Sequence, residues 1–287
     1  MIMKKLAKLF GVVLLFCIVS NSFAYDDYYS GWWYVKNKSG TGVSLEIQGN
    51  NCFVAIFDYD KRGEPDWISS FGQVAKLRVD SEQSSNATVI FNGGLYLWRG
   101  WPLGSPYVAP SVIQIGFMEI IFYSTSHAIL TYTIFKEFLN VNYNITIDAE
   151  LTKFMPDLFE GSLDKRNING WWYDPDYNGM GFFTEAYGNH IFLAWYHYGE
   201  NGEPRWLSCY SPFTPSDTQF TCTMQEWSGG SFMGSKEYKP PVAKNLEEAV
   251  FKLIDEEEGR AELTWRGVTY HIQRFKVKVE QETSEEQ

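Results

Sequence analysis

The chain has 287 residues, 45% hydrophobic and 17% aromatic, which is ample for a sizeable core and excludes wholesale disorder. Its formal charge is −11, from 24 basic and 35 acidic residues. That balance argues against a nucleic-acid binder, which needs a basic face to neutralise phosphate, and against adhesion to an anionic membrane. Four cysteines are too few for a disulfide scaffold and show no C-x-x-C spacing for zinc.

Residues Met1 to Ala24 read as a secretory signal peptide. Lys4, Lys5 and Lys8 form the positive start, Leu9 to Val19 the apolar run, and Ser22-Phe23-Ala24 the small-residue cleavage site. The apolar run is too short to cross about 30 Å of hydrocarbon. Phe16 before Cys17 argues against a lipid-anchored form, which needs a small residue there. Cleavage removes three lysines and takes the charge from −11 to −14. The expected location is periplasmic or extracellular, with no membrane insertion after cleavage and no nucleic-acid partner.

The rest of the chain contains itself twice. Residues 31–72 align without a gap on residues 170–211, and 17 of the 42 positions are identical. The shared residues include Gly-Trp-Trp-Tyr at 31 and 170 and Gly-Glu-Pro-x-Trp at 63 and 202. Looser echoes follow. Gly93-Gly94 matches Gly229-Gly230, Ala128 to Tyr132 matches Ala261 to Trp265, and Lys153-Phe154 matches Arg274-Phe275. The predicted organisation is a first unit over 25–155, a linker over 156–168, a second unit over 169–280, and an acidic tail over 281–287.

Each unit reads as all-β, because apolar residues alternate with a period near two and β-branched and aromatic residues dominate. The first unit holds eight candidate strands, at about 31–36, 42–48, 52–59, 65–74, 86–98, 112–123, 128–137 and 143–154. Turn residues separate them, notably Ser39-Gly40-Thr41-Gly42 and Asp60 to Glu64. The prediction is two tandem antiparallel up-and-down meanders of about eight strands, each closing into a barrel. A β-sandwich or one larger shared barrel also accommodates the pattern. One stretch, Ala243 to Ile254, reads as a short exposed helix through Glu247, Glu248 and Lys252.

The repeat separates two faces of the third strand. Phe53, Ala55 and Tyr59 return as Phe192, Ala194 and Tyr198, whereas Val54, Ile56 and Asp58 become Leu193, Trp195 and His197. Alternate residues point to opposite faces. One face therefore answers to a shared packing or binding demand and the other drifts. Cys209 and Cys222, close in sequence on expected neighbouring strands, are predicted to pair. Cys52 is left as a buried free thiol.

The pattern G-W-W…[SN]-G-x-G…G-x(3)-F-x-A-x(3)-Y…G-E-P-x-W resembles a repeat of uncharacterised secreted bacterial proteins, and that resemblance implies no activity. G-x-W on a first strand with a cation on the last also resembles the calycin barrels (lipocalins, avidins). The resemblance implies that Trp33 with Lys153, and Trp172 with Arg274, close the barrel floors through cation–π contacts.

Loops one and three of each unit are the best kept, and in a meander they share the rim away from the floor. Tyr59, Glu64 and Trp67, with Tyr198, Glu203 and Trp206, are thus candidate ligand-binding residues, able to stack and hydrogen-bond a flat or sugar ring. Gly-Glu-Pro-x-Trp also makes a good turn with no ligand at all. Glu46/Glu185 and Glu64/Glu203 recur as carboxylate pairs, as glycoside hydrolysis requires, but exposed glutamates are ordinarily only solvated. There is no G-x-S-x-G elbow and no phosphate loop, and the four histidines lack metal spacing. No catalytic residue, metal or cofactor is assigned. The expected function is non-enzymatic binding of a small apolar or carbohydrate ligand. The alternative is a structural or protein-interaction module with filled barrels, in which the drifting pairs Ile56/Trp195 and Asp58/His197 form the variable surface.

Overall fold

The computed structural model describes residues 28–77, 88–139 and 142–277. The expected leader and the acidic tail lie outside them. The first barrel runs β1 (Gly31–Val35), β2 (Gly42–Gln48), β3 (Asn51–Tyr59), β4 (Pro65–Leu77), β5 (Thr88–Arg99), β6 (Ser111–Phe122), β7 (His127–Ile134) and β8 (Ile145–Lys153). Each strand pairs antiparallel with the next, and β8 closes on β1. The second runs β9 (Gly170–Tyr173), β10 (Gly181–Tyr187), β11 (His190–Tyr198), β12 (Pro204–Pro212), β13 (Gln219–Ser228), β14 (Val242–Asp255), β15 (Arg260–Trp265) and β16 (Val268–Arg274), closing β16 on β9. The chain is therefore all-β, with two closed up-and-down barrels in tandem. Between them lie a short helix (Met155–Leu158) and an isolated bridge from Leu163 to Tyr187. No helix among the described residues is long and apolar enough to cross a membrane.

The helix expected at Ala243 to Ile254 is instead part of β14. Ala249, Phe251 and Leu253 enter the core at a spacing of two, which a strand puts on one face and a helix would scatter. Glu247, on the exposed part of that strand, pairs with Arg266 of the turn after β15.

Cys209 on β12 and Cys222 on β13 form the disulfide, and Cys52 is free and buried. Closing so short a loop contributes about 3 kcal/mol in the chain-entropy account. At each floor a tryptophan of the first strand lies under a cation of the last. Lys153 Nζ is 5.0 Å from the Trp33 ring and the Arg274 guanidinium 5.5 Å from the Trp172 ring. The indoles donate to Tyr29 O at 2.9 Å and Ile168 O at 3.1 Å.

The two strand faces resolve in the opposite sense to the one expected for a variable surface. The drifting residues Val54 and Ile56, like Leu193 and Trp195, point into their barrels and are fully buried. The kept residues Ala55 and Tyr59, with Ala194 and Tyr198, lie outside the barrels in a third cluster where the barrels meet. A core tolerates exchange when the total volume is filled. A surface that packs against its own copy is constrained from both sides.

That contact is reciprocal. Trp32 N–H donates to Glu185 Oε2 at 2.6 Å, and Trp171 N–H to Glu46 Oε2 at 2.7 Å. Trp67 Nε1 donates to His197 O at 3.0 Å, and Trp206 Nε1 to Asp58 O at 3.2 Å. Phe53 meets Trp171 edge-on at 5.0 Å, and Phe192 meets Trp32 at 5.0 Å. The two repeats are thus related by an internal pseudo-twofold axis. Gly31 (φ +124°) and Gly170 (φ +108°) adopt left-handed backbone, and a Cβ there would fall 2.5 Å from Glu185 Oε2 and 2.3 Å from Glu46 Oε2. Only glycine lets the carboxylate reach the tryptophan amide.

The loop after the fifth strand of each barrel crosses to the other. Gly229 N–H donates to Gly63 O at 2.7 Å, and Gly100 N–H to Gly202 O at 3.1 Å. Gly100, not Gly93-Gly94, is therefore the counterpart of Gly229-Gly230. Gly93 and Gly94 sit within β5, paired with β4 and β6.

Candidate functional site

The repeat builds two barrels of unequal interior. Reading corresponding positions from first to second, Val43 becomes Phe182, Ile56 becomes Trp195, Tyr132 becomes Trp265 and Ala149 becomes Tyr270. The Trp195 ring contacts Phe182 at 4.8 Å, Tyr270 at 5.1 Å and Trp265 at 5.4 Å, so aromatic side chains fill the second barrel. The first barrel has a cavity of about 250 Å³ at its mouth, lined by Tyr132 where the second barrel has Trp265.

The cavity wall is apolar at Ile68, Leu97, Ile115 and Phe232 and polar at Asp58 and Asp66. Phe232 comes from the second barrel, on the crossing loop between β13 and β14. Met233 beside it is buried in the first barrel's core. That loop is pinned at both ends of one peptide stretch. Asp58 Oδ1 accepts from Met233 N–H at 2.8 Å, and Lys38 Nζ donates to Met233 O at 2.6 Å and Ser235 O at 2.8 Å.

Asp58 is a carboxylate on the core face of β3, and burial pushes its pKa well above the usual range despite amide donors from Tyr59 and Met233. Burial raises the pKa of the Tyr132 phenol, and the charge of Asp58 adds to the rise. Asp66 accepts from Trp67 N–H at 2.8 Å, and burial raises its pKa to about 6. The mouth therefore offers two buried carboxyls and a phenol, with the Asp66 carboxyl ionised at neutral pH.

The six rim residues expected to bind ligand are placed as follows. Tyr59 and Trp67 border the mouth cavity, and both are buried where the barrels meet. Tyr198 and Trp206 are buried in the same interface. Tyr198 donates to Gly179 O at 2.7 Å. Glu64 and Glu203 flank Arg205, at 3.7 and 3.0 Å. The structure thus brings all six to the seam between the barrels.

Sequence reasoning missed Asp58, Asp66, Tyr132 and the incoming Phe232. Asp58 did carry a signal, as the one acid on the face otherwise held by Val54 and Ile56. Phe232 carried none, because it is supplied from across the axis. The recurrent pair Glu46 and Glu185 holds the two repeats together. Arg274 Nη2 lies 2.5 Å from Glu46 Oε1, and Lys153 faces Glu185. Burial raises the Glu185 carboxyl and lowers Lys153 to about 8. No group of three or more potential metal-ligating side chains occurs among the described residues.

His197 replaces Asp58 in the second barrel. It is buried, its Nδ1 lies 3.1 Å from Tyr198 O, and burial lowers its pKa to about 4. The unfolded chain takes up that proton near pH 6.5, whereas the folded protein does so only near pH 4. Its contribution is constant above pH 6.5 and is lost as pH falls through that window. Urea unfolding should show the wild type losing about 2 kcal/mol more than His197→Gln between pH 7.5 and pH 5. Equal losses would show that the imidazole titrates in the folded protein.

Comparison with known proteins returned no matching family model and no matching curated relative.

Proposed function

We propose that this is an exported, non-enzymatic binding protein whose ligand enters the mouth of the first barrel. The observation that carries this is the inequality of the barrels. The same fold is filled by Trp195 and its ring neighbours in one copy and keeps a cavity of about 250 Å³ with buried polar groups in the other. Each mouth carboxyl accepts backbone N–H groups and still has acceptor positions to spare, which a ligand hydroxyl or amine takes. The volume lies just below that of drug-sized pockets and suits a single ring. The favoured ligand is a small ring carrying hydroxyl or amino groups, of the monosaccharide class. The second barrel acts as the carrier of the lid loop, which accounts for its solid core. The disulfide fits an oxidising compartment, which supports export.

Thermal-shift titration with neutral hexoses, amino sugars and cyclic amines tests the reading. A ligand at 100 times its Kd should stabilise by about 2.7 kcal/mol. Ile134→Trp, which places an indole at a half-buried position on the cavity wall, should abolish the shift. Asp66→Asn should weaken binding by about 1–3 kcal/mol. No shift across the panel, or a shift that survives Ile134→Trp, would refute the mouth as the site.

A further inference from the structure

A second cavity, of about 210 Å³, opens at the seam and shares one wall residue, Trp67, with the mouth. Its walls come from both repeats: Phe53, Trp67 and Trp98 from the first, and Trp171, Tyr173 and Phe275 from the second. Neighbouring rings turn through large angles. Phe53 meets Trp171 at 85°, Trp67 meets Tyr196 at 76° and Tyr173 meets Phe275 at 78°. The result is a box of π faces rather than a slot for one flat ring.

The polar atoms of these rings are already engaged. Trp98 Nε1 donates to Ser69 Oγ at 2.7 Å, Trp67 Nε1 to His197 O at 3.0 Å and Trp171 Nε1 to Phe53 O at 3.4 Å. Tyr173 OH accepts from Gln273 at 2.6 Å, and Tyr196 OH bonds Ser44 Oγ at 2.8 Å. The Tyr173 hydroxyl keeps its own O–H, but one hydroxyl among so many ring faces is a poor match for a sugar's several hydroxyls or an ammonium's three N–H groups. The chemistry that several aromatic faces without hydrogen-bonding groups does recognise is a cation with no N–H.

The pseudo-twofold mate shows that the fold does not require this opening. There the corresponding tryptophans, Trp206 and Trp227, stack with centroids 6.3 Å apart and planes at 27°. Trp227 Nε1 donates to Ser208 Oγ at 2.8 Å, just as Trp98 does to Ser69. In the first half Trp67 and Trp98 flank the cavity instead. One floor residue also differs, Met180 standing where the mate has Thr41.

We propose that the aromatic box of Trp67, Trp98, Trp171 and Phe275 binds a quaternary ammonium group. The chain's acidic charge, −11, favours the approach of a cation. The carrier is a small soluble solute or a lipid headgroup, which share this chemistry.

The test titrates tetramethylammonium and choline against the full-length protein, read by tryptophan fluorescence. The control is 3,3-dimethyl-1-butanol, the neutral isostere of choline. Choline should bind at least tenfold tighter than the isostere, as cation–π recognition demands. Trp98→Leu should weaken choline binding tenfold or more, and Trp98→Phe should retain most of it. Phe275→Leu provides the same loss from the opposite wall, should Trp98→Leu fail to fold. Co-sedimentation with phosphatidylcholine vesicles assigns a lipid headgroup, and choline binding without it assigns a soluble solute. Absence of binding in both arms, or equal affinity for choline and its isostere, overturns the proposal. Ile134→Trp should leave choline binding unchanged, which separates this site from the mouth.

Discussion

Replacing Arg274 by methionine should destabilise the protein by about 3–5 kcal/mol, the largest loss expected from one polar substitution. The guanidinium is buried at the seam, with Nη2 2.5 Å from Glu46 Oε1 and Nη1 2.7 Å from Trp171 O. Without it Glu46 stays buried among apolar rings with no compensating charge. Its other oxygen still accepts from Trp171 N–H, so the carboxylate is held in place and does not swing out to water. The double substitution Arg274→Met with Glu46→Gln should recover much of the loss, because the amide oxygen still serves that N–H and no charge is stranded. Chemical denaturation of the two singles and the double measures the coupling. Strict additivity would mean that the pair does not act as a pair.

Trp32→Ala should cost about 3–5 kcal/mol, although the residue lies outside both barrel interiors. Its ring meets Phe57, Phe183 and Phe192 edge-on at 5.5, 5.0 and 5.0 Å, the last two belonging to the second barrel. The double variant Trp32→Ala with Trp171→Ala empties both halves of the reciprocal contact. Calorimetry should then show two transitions in place of one, because the barrels no longer stabilise each other. Trp33→Ala, in the first barrel's interior, should cost a similar amount while the single transition persists. Trp32→Ala losing less than about 1 kcal/mol would show that the seam is a loose contact.

Much of this was legible in the residues. A period-two pattern between turn signals specifies strands locally. A gap-free repeat doubles whatever one copy makes. The Cys209–Cys222 pair followed from adjacency on strands. The misread helix at Ala243 to Ile254 shows the limit of local reasoning. Its glutamates and lysine favour helix in isolation, and the demand that Ala249, Phe251 and Leu253 share one face overrode them.

The candidate site was only half visible. Tyr59, Trp67, Tyr198 and Trp206 stood out because the repeat keeps them, and a kept residue announces a constraint without saying which. By itself the sequence determined that two like sheets form and that one face of each is constrained, since alternation and repetition are local properties of the chain. Only the tertiary structure decided that the constrained faces cover one another, that Phe232 crosses to the first barrel's mouth, and that a cavity stands at that mouth. Those outcomes depend on contacts more than a hundred residues apart and on the sum of side-chain volumes inside a closed sheet, neither of which is present in any single stretch of sequence.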